Sequence, residues 1–313
     1  VTTPTRVTAF APGSVANVAI GFDILGFSVD SVGDRVTLTR TGRPGVNITS
    51  ITGVVQDLPL DAGRNTAGQA LLAMLRYRPQ DFGFDVQIEK GIPLASGLGG
   101  SAASAVAAVV AANAMFEEPL TRIELLKVAM EGEAVASGSR HADNIAPSLF
   151  GGLVLTVGID EPRVKQIPVP QQIHAVIVHP HLQVSTKQAR AILSGTVNMS
   201  DFVWQTANLA GFISGCYTND LDLIRASLED VIIEKQRQVL IPGFQQVRSA
   251  ALSAGALGCS ISGAGPTLFA LCLEQDAGAV RAAMEEAFSK QGIDTDKWIV
   301  SVQSGGAHVV SSS

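Results

Sequence analysis

Apolar and polar positions alternate near both ends of the chain, with helical spacing between. Val7-Thr8-Ala9-Phe10-Ala11 alternates like a strand and is expected to stop at Pro12-Gly13, where proline ends the pairing. Ser14 to Asn17 reads as a loop. Phe22 to Asp30 returns as a second strand with Asp23 at its start; Gly33-Asp34 is a turn, and Arg35 to Arg40 a third strand. Asn65 to Tyr77 carries apolar residues at helical spacing, with Asn65 or Thr66 as N-cap. Phe84 to Glu89 alternates again. Ser101 to Asn113 is almost entirely Ala and Val, a helix apolar nearly all round and therefore expected to be buried. Thr121-Arg122-Ile123-Glu124 is a capping box opening a helix to about Ser137, and Leu153 to Val157 is a strand.

Composition shifts at Glu161 to Gln172, which holds three prolines, and places a domain boundary there: 1–165 and 166–313. Beyond it the pattern gives a strand at His174–His179 and a short helix from Ser185-Thr186-Lys187-Gln188. Helices follow at Asp201–Tyr217 and Asp220–Ile232, and another ends at Ala254. Strands Leu257–Ser262 and Thr267–Leu273, a helix Ala277–Ser289 and a strand Trp298–Gln303 close the chain. That order fits an α+β half of ferredoxin-like type. No internal repeat or low-complexity tract interrupts it.

Composition narrows the class. With 313 residues, 46% of them hydrophobic and only 16% charged, the chain can bury a large core and is not disordered. A net charge of −6 gives no reason to expect nucleic acid. Cys216, Cys259 and Cys272 have neither zinc spacing nor an even count and read as buried thiols of a reducing compartment. No apolar run reaches spanning length and no signal-peptide pattern opens the sequence, so a soluble, cytoplasmic protein without a membrane partner is expected.

The chemistry concentrates in Pro93-Leu94-Ala95-Ser96-Gly97-Leu98-Gly99-Gly100-Ser101-Ala102-Ala103. Glycines let the backbone approach a ligand and turn its N–H groups inward, and the helix that follows adds free N–H groups and the positive end of its dipole. Together they suit an anion, most simply phosphate. A Walker A loop is excluded, because no Gly-Lys-Ser or Gly-Lys-Thr occurs in the chain. Gly97-Leu98-Gly99-Gly100-Ser101-Ala102 formally fits the dinucleotide fingerprint. However, a Pro-containing spacer separates it from its strand, and the acids Glu117 and Glu118 fall at the end of the helix. A plain glycine-rich turn before a buried helix remains the bland alternative. His141, Asp143 and Asn144 form a second polar cluster; capping a short helix is its bland reading, and no third ligand at useful spacing supports a metal there.

PLASGLGGSAAS resembles the phosphate-binding motif of the GHMP small-molecule kinases, with Gly100 where Ser is usual. APGSVANVAIGFDILGFSVD, HADNIAPSLFGG and CSISGAGPTLFAL are similar to further segments of that family in the same order, and most of all to those of homoserine kinases. The resemblance implies a two-domain α+β GHMP fold, S5-like at the N-terminus and ferredoxin-like at the C-terminus. It implies ATP and Mg²⁺ as cofactors, L-homoserine as the small-molecule acceptor, and a homodimer. By the same resemblance Asn65 holds the adenine, the loop Pro93 to Ala103 the phosphates, and Ser101 and Glu133 the metal. Asn144 lies near the reacting hydroxyl and Thr186 near the moving phosphoryl. Arg190 and Arg237 take the substrate carboxylate; Asp23 and Asp143 take its ammonium, helped by Asn17 and His141. The surroundings of Arg237 depart from the family after Glu234. A kinase for another alcohol, such as mevalonate, and a non-catalytic ligand-binding member of the fold stay open as alternatives.

Overall fold

The computed structural model describes residues 3–137, 142–158 and 160–313. Strands β1 (Arg6–Ala16), β2 (Leu25–Thr41), β3 (Val46–Gly53) and β4 (Gly83–Lys90) lie in one mixed sheet. Helix α1 (Thr66–Tyr77) precedes β4; α2 (Gly100–Asn113), α3 (Arg122–Ser137) and the short α4 (Ile145–Phe150) follow it. Strand β5 (Leu153–Val157) pairs with β2 and with β6 (Arg163–Ile167), so the sheet extends across the boundary expected at 165/166. A second sheet is built from β7 (Ile173–Pro180), then β8 (Gly258–Ile261), β9 (Leu268–Leu273) and β10 (Thr295–Ser301), in the order β10-β7-β9-β8. All its pairings are antiparallel, the ferredoxin-like arrangement. Helices α5 (Thr186–Ala191), α6 (Met199–Thr218), α7 (Leu221–Ser227), α8 (Glu234–Arg237), α9 (Phe244–Ser253) and α10 (Ala277–Ser289) accompany it. The last strand, β11 (His308–Ser312), returns to the first sheet beside β1.

The alanine helix is buried as its composition required. Ala102 to Ala112 are nearly all closed to solvent, and α2 packs between α1, α3 and the strands β1 and β2. Small side chains let these backbones approach closely, and they fix where the loop before α2 must sit. A second core lies between α9, α10 and the C-terminal sheet, around Phe244, Met284 and Phe288.

Three readings of the pattern are corrected. β1 does not stop at Pro12: it continues to Ala16, and its register against β2 shifts between Pro12 and Gly13, a bulge that accommodates the proline. The two strands expected at Phe22–Asp30 and Arg35–Arg40 are a single strand from Leu25, and Gly33-Asp34 is inside it. Asp34 looked like a turn residue because it is charged; its carboxylate is buried and ion-paired to Lys90. The helix expected to reach Ile232 ends at Ser227. There the Asp230 carboxylate accepts from the backbone N–H groups of Ile232, Ile233 and Glu234 and starts α8 instead.

Candidate active site

A cavity of about 470 Å³ lies between the two sheets' loops and is lined from both halves of the chain. One end is the glycine loop. Gly97 and Gly99 have φ of +81° and +66°, which glycine adopts without a Cβ penalty. The first hydrogen bond inside α2 runs from Ala103 N to Gly99 O (2.9 Å). The N–H groups of Gly100, Ser101 and Ala102 therefore precede the helix ladder, at its positive end. The loop is clamped from behind by the second half: the Ser262 hydroxyl donates to Gly97 O (2.7 Å) and the Thr267 hydroxyl to Ser96 O (2.6 Å). Thus the segment CSISGAGPTLFAL folds back on the glycine loop.

Ser101 and Glu133 meet at the mouth of α2, where the serine hydroxyl donates to Glu133 Oε1 at 2.8 Å. Glu133 lies among protein atoms that push its carboxyl up to about 7, against the pull of Ser101 and Lys90. An alcohol and a carboxylate are oxygen donors of the kind magnesium takes, with phosphate oxygens and water completing its shell. The pair fits that ion. Among the described residues no cluster of three or more His, Cys, Asp or Glu could hold a metal alone. Asn65 caps α1, accepting from Ala67 N (3.0 Å) and donating to Pro59 O (3.0 Å), and also lines the cavity.

The other end is charged. Arg190, on α5, makes two parallel bonds to Asp23, Nη1 to Oδ2 at 3.0 Å and Nη2 to Oδ1 at 2.8 Å, and this pairing raises the arginine's pKa. Arg237 is buried and held by backbone, donating from Nε to Ala189 O (3.0 Å) and from Nη1 to Gly263 O (2.9 Å). Burial and the neighbouring Arg190 lower its pKa. Asp143 is buried beside them, pushed up to about 7 by burial and by Asp23. Asn17 donates to Gly263 O (3.0 Å) and accepts from Asp23 N (3.0 Å). Asn17, Val18, Ala19 and Asp23 all have positive φ, a conformation that costs on the order of 1–3 kcal/mol each and persists only where surroundings enforce it.

Between the two ends stands Asn144, whose Oδ1 accepts from Ser14 Oγ at 2.8 Å; its amide nitrogen is the end that can donate to a ligand. Thr186 opens α5 and faces the same cavity. The residues expected from the sequence thus converge, with Leu98, Ala102 and Ala103 buried behind the loop. His141 lies outside the described residues.

Sequence reasoning missed Lys90, Asp34, Ser104 and Phe22. Lys90 donates to Gly100 O and to Ser104 Oγ (both 2.8 Å), is ion-paired to Asp34, and pins the end of β4 to the first turn of α2. The signal was present: Lys90 continues the inward phase of Phe84, Val86 and Ile88, where an apolar residue belongs. The guanidinium carbons of Arg190 and Arg237 both lie over the Phe22 ring, 5.3 and 5.1 Å from its centre. No local pattern marks that role.

This loop, clamp and oxygen pair define a small-molecule kinase of one kind. The GHMP kinases N terminal domain matches residues 65–152 and the GHMP kinases C terminal domain residues 212–290, and the chain belongs to that family. Its relatives include a homoserine kinase of Xylella fastidiosa (strain M12), 49% identical over 99% of this chain and 96% of that protein. Another, from Chlorobium phaeobacteroides (strain BS1), is 43% identical over 97% and 99%. Among solved structures, the homoserine kinase from Cytophaga hutchinsonii superposes with a TM-score of 0.95 at 45% identity, covering 99% of each chain. A mevalonate kinase of L. major, in complex with R-mevalonate, shares the fold at a TM-score of 0.70 and 17% identity, over 96% of this chain and 98% of its own.

Proposed function

We infer that the protein transfers the γ-phosphoryl group of ATP to the side-chain hydroxyl of L-homoserine, giving O-phosphohomoserine for threonine biosynthesis. The observation that carries this reading is the pairing of Arg190 with Asp23, beside Arg237 and Asp143, at the far end of a cavity that begins in a phosphate loop. A compact zwitterion needs cations for its carboxylate and an acid for its ammonium. Mevalonate has no ammonium, and a neutral sugar has neither charge.

Phosphoryl transfer asks for alignment and charge stabilisation more than for covalent help. The N–H groups of Gly100 to Ala102 bind the phosphate oxygens, and Asn65 with its neighbours walls the base. Ser101 and Glu133 hold Mg²⁺, which when bound neutralises charge developing on the phosphates. The amide of Asn144 donates to the acceptor oxygen and orients it; an amide takes no proton, so alignment for in-line attack is its contribution. Thr186 donates its hydroxyl toward the phosphoryl group in transit. His141, by resemblance, assists the ammonium partners. We assign the protein to the cytoplasm and to homodimers; among the described residues no helix is long and apolar enough to cross a membrane.

Rates with MgATP and a panel of L-homoserine, mevalonate, galactose and L-serine test the reading. Homoserine should give the highest kcat/KM. A higher value for mevalonate or galactose would overturn the substrate assignment, and no turnover of any alcohol would favour a ligand-binding member of the fold.

A further inference from the structure

Two walls of the charged end come from distant parts of the chain, and one side chain spans them. Gln205, in the second turn of α6, donates from Nε2 to Ile20 O at 3.1 Å and accepts at Oε1 from Val231 N at 2.9 Å. Ile20 belongs to the positive-φ loop that presents Asn17, Phe22 and Asp23. Val231 belongs to the turn, organised by Asp230, that leads into α8 and presents Arg237. Asn208, nearly a turn further along α6, donates to Glu229 O (2.8 Å) and ties that turn to the helix a second time. Gly263 O, accepting from both Asn17 and Arg237, and the Phe22 ring under the Arg237 guanidinium are further junctions between the walls.

We propose that Gln205 is a positioning residue for the acceptor end: it fixes the spacing between the loop bearing Asp23 and the turn bearing Arg237. It does not line the cavity. A carboxamide offers a donor and an acceptor on one planar group, and here each end meets its complement on the backbone. Both partner segments lack regular ladders of their own, so their separation depends on such cross-links. The consequence is selective: loss of Gln205 loosens the acceptor end and leaves the phosphate loop, clamped by Ser262 and Thr267, unaffected.

The inference rests on the assignment of an amino-acid acceptor, and its test separates the two. Gln205→Met keeps length and helix propensity and removes both bonds; Gln205→Glu keeps the acceptor toward Val231 N and sets a carboxylate oxygen against Ile20 O. In steady-state assays Gln205→Met should raise KM for L-homoserine roughly 10-fold, with KM for ATP within about twofold of wild type. In the free protein, hydrogen–deuterium exchange should accelerate at 17–24 and 229–237 together in Gln205→Met, and chiefly at 17–24 in Gln205→Glu, which keeps the bond from Val231 N. Equal rises in both KM values, or unchanged exchange in those two segments, would overturn the positioning role. A wild-type protein inert toward homoserine, whose Gln205→Met variant nonetheless shows the coupled exchange, would sink the substrate reading and leave the coupling standing.

Discussion

Replacing Gly99 by alanine asks whether the backbone of the loop, rather than its side chains, binds phosphate. Gly99 sits at φ +66° and ψ 32°, and a Cβ there would lie 2.2 Å from Ser14 Oγ and 2.8 Å from Asn144 Oδ1. Those two atoms share the 2.8 Å bond that orients Asn144, and Ser14 is fully buried, so it has nowhere to retreat. Left-handed backbone at alanine costs about 1–2 kcal/mol. Breaking the Ser14–Asn144 bond adds about 0.5–1.5 kcal/mol. Together these are about 1.5–3.5 kcal/mol, a fall in Tm of roughly 2–5 °C for a chain of this size. The loss in catalysis should be larger, because the N–H groups that follow Gly99 move with it and Asn144 loses its partner. A shift near 1 Å can cost on the order of 100-fold in kcat/KM. Calorimetric ATP titration and steady-state rates, on protein shown to be folded by circular dichroism, measure both. Gly100→Ser is the control: its Cβ meets Ile92 Cγ2 at 3.1 Å and Lys90 Nζ at 3.7 Å, with no positive φ, and should stay within a few-fold of wild type. Wild-type ATP affinity and rate in Gly99→Ala, or equal damage in Gly100→Ser, would refute the reasoning.

Glu133→Gln should lower kcat about 100-fold at saturating MgATP with the fold intact, since the metal loses its carboxylate; an unchanged rate would remove Glu133 from the metal site. Arg190→Met and Arg237→Met should each raise KM for homoserine by roughly 30-fold or more while sparing KM for ATP, as expected when one member of a charge pair is removed. Wild-type KM in both variants would point to another GHMP substrate. Asp143, raised to about 7, should give kcat/KM for homoserine an acid limb near that pH, displaced or absent in Asp143→Asn. Because its folded pKa lies above the unfolded one, the stability it contributes is complete below the ordinary carboxylate range and is lost as pH rises toward 7. Free Asp143→Asn should therefore match or exceed wild type in denaturant titrations at about pH 8, with any gain shrinking by about pH 5.

The longer helices were legible because their signals are local, though α7 stops short at Ser227, the short α4 was only an alternative reading and α8 was not expected. The Thr121–Glu124 capping box forms as expected, with Thr121 N donating to Glu124 Oε2 at 2.7 Å and Glu124 N to Thr121 Oγ1 at 3.3 Å. The alternation of residues 84–89 and 153–157 gave β4 and β5 for the same reason. Strands whose period breaks were not legible. In β3 the apolar residues Val46, Ile48 and Ile51 change phase where the register shifts between Ile48 and Ser50. β6 and β11 are mostly exposed at sheet edges and show no alternation of apolar and polar residues, although Ile167 of β6 reaches the core. The site divided likewise. Glycines at fixed spacing mark a phosphate loop within ten residues. Phe22, Lys90 and Gln205 act through partners tens to hundreds of positions away, and only the folded chain brings those partners together.

The free site also explains how charge could select the acceptor. Arg190 is satisfied by Asp23, Arg237 by two carbonyls, and the Phe22 ring lies under both guanidinium groups. The polar end is therefore balanced before anything binds, and an entering molecule must exchange these contacts for its own. A zwitterion can make the exchange even: its carboxylate replaces Asp23 on Arg190, and its ammonium takes the carboxylates of Asp23 and Asp143. An acid without an ammonium would displace Asp23 from Arg190 and bring no cation to Asp23 or Asp143 in return. A neutral alcohol could not replace either partner of the pair. Truncated or unbalanced charge pairs of this kind cost far more than the matched pair gains. On the proposed reading, selection at this end thus comes chiefly from the penalty on wrong partners and less from affinity for the right one.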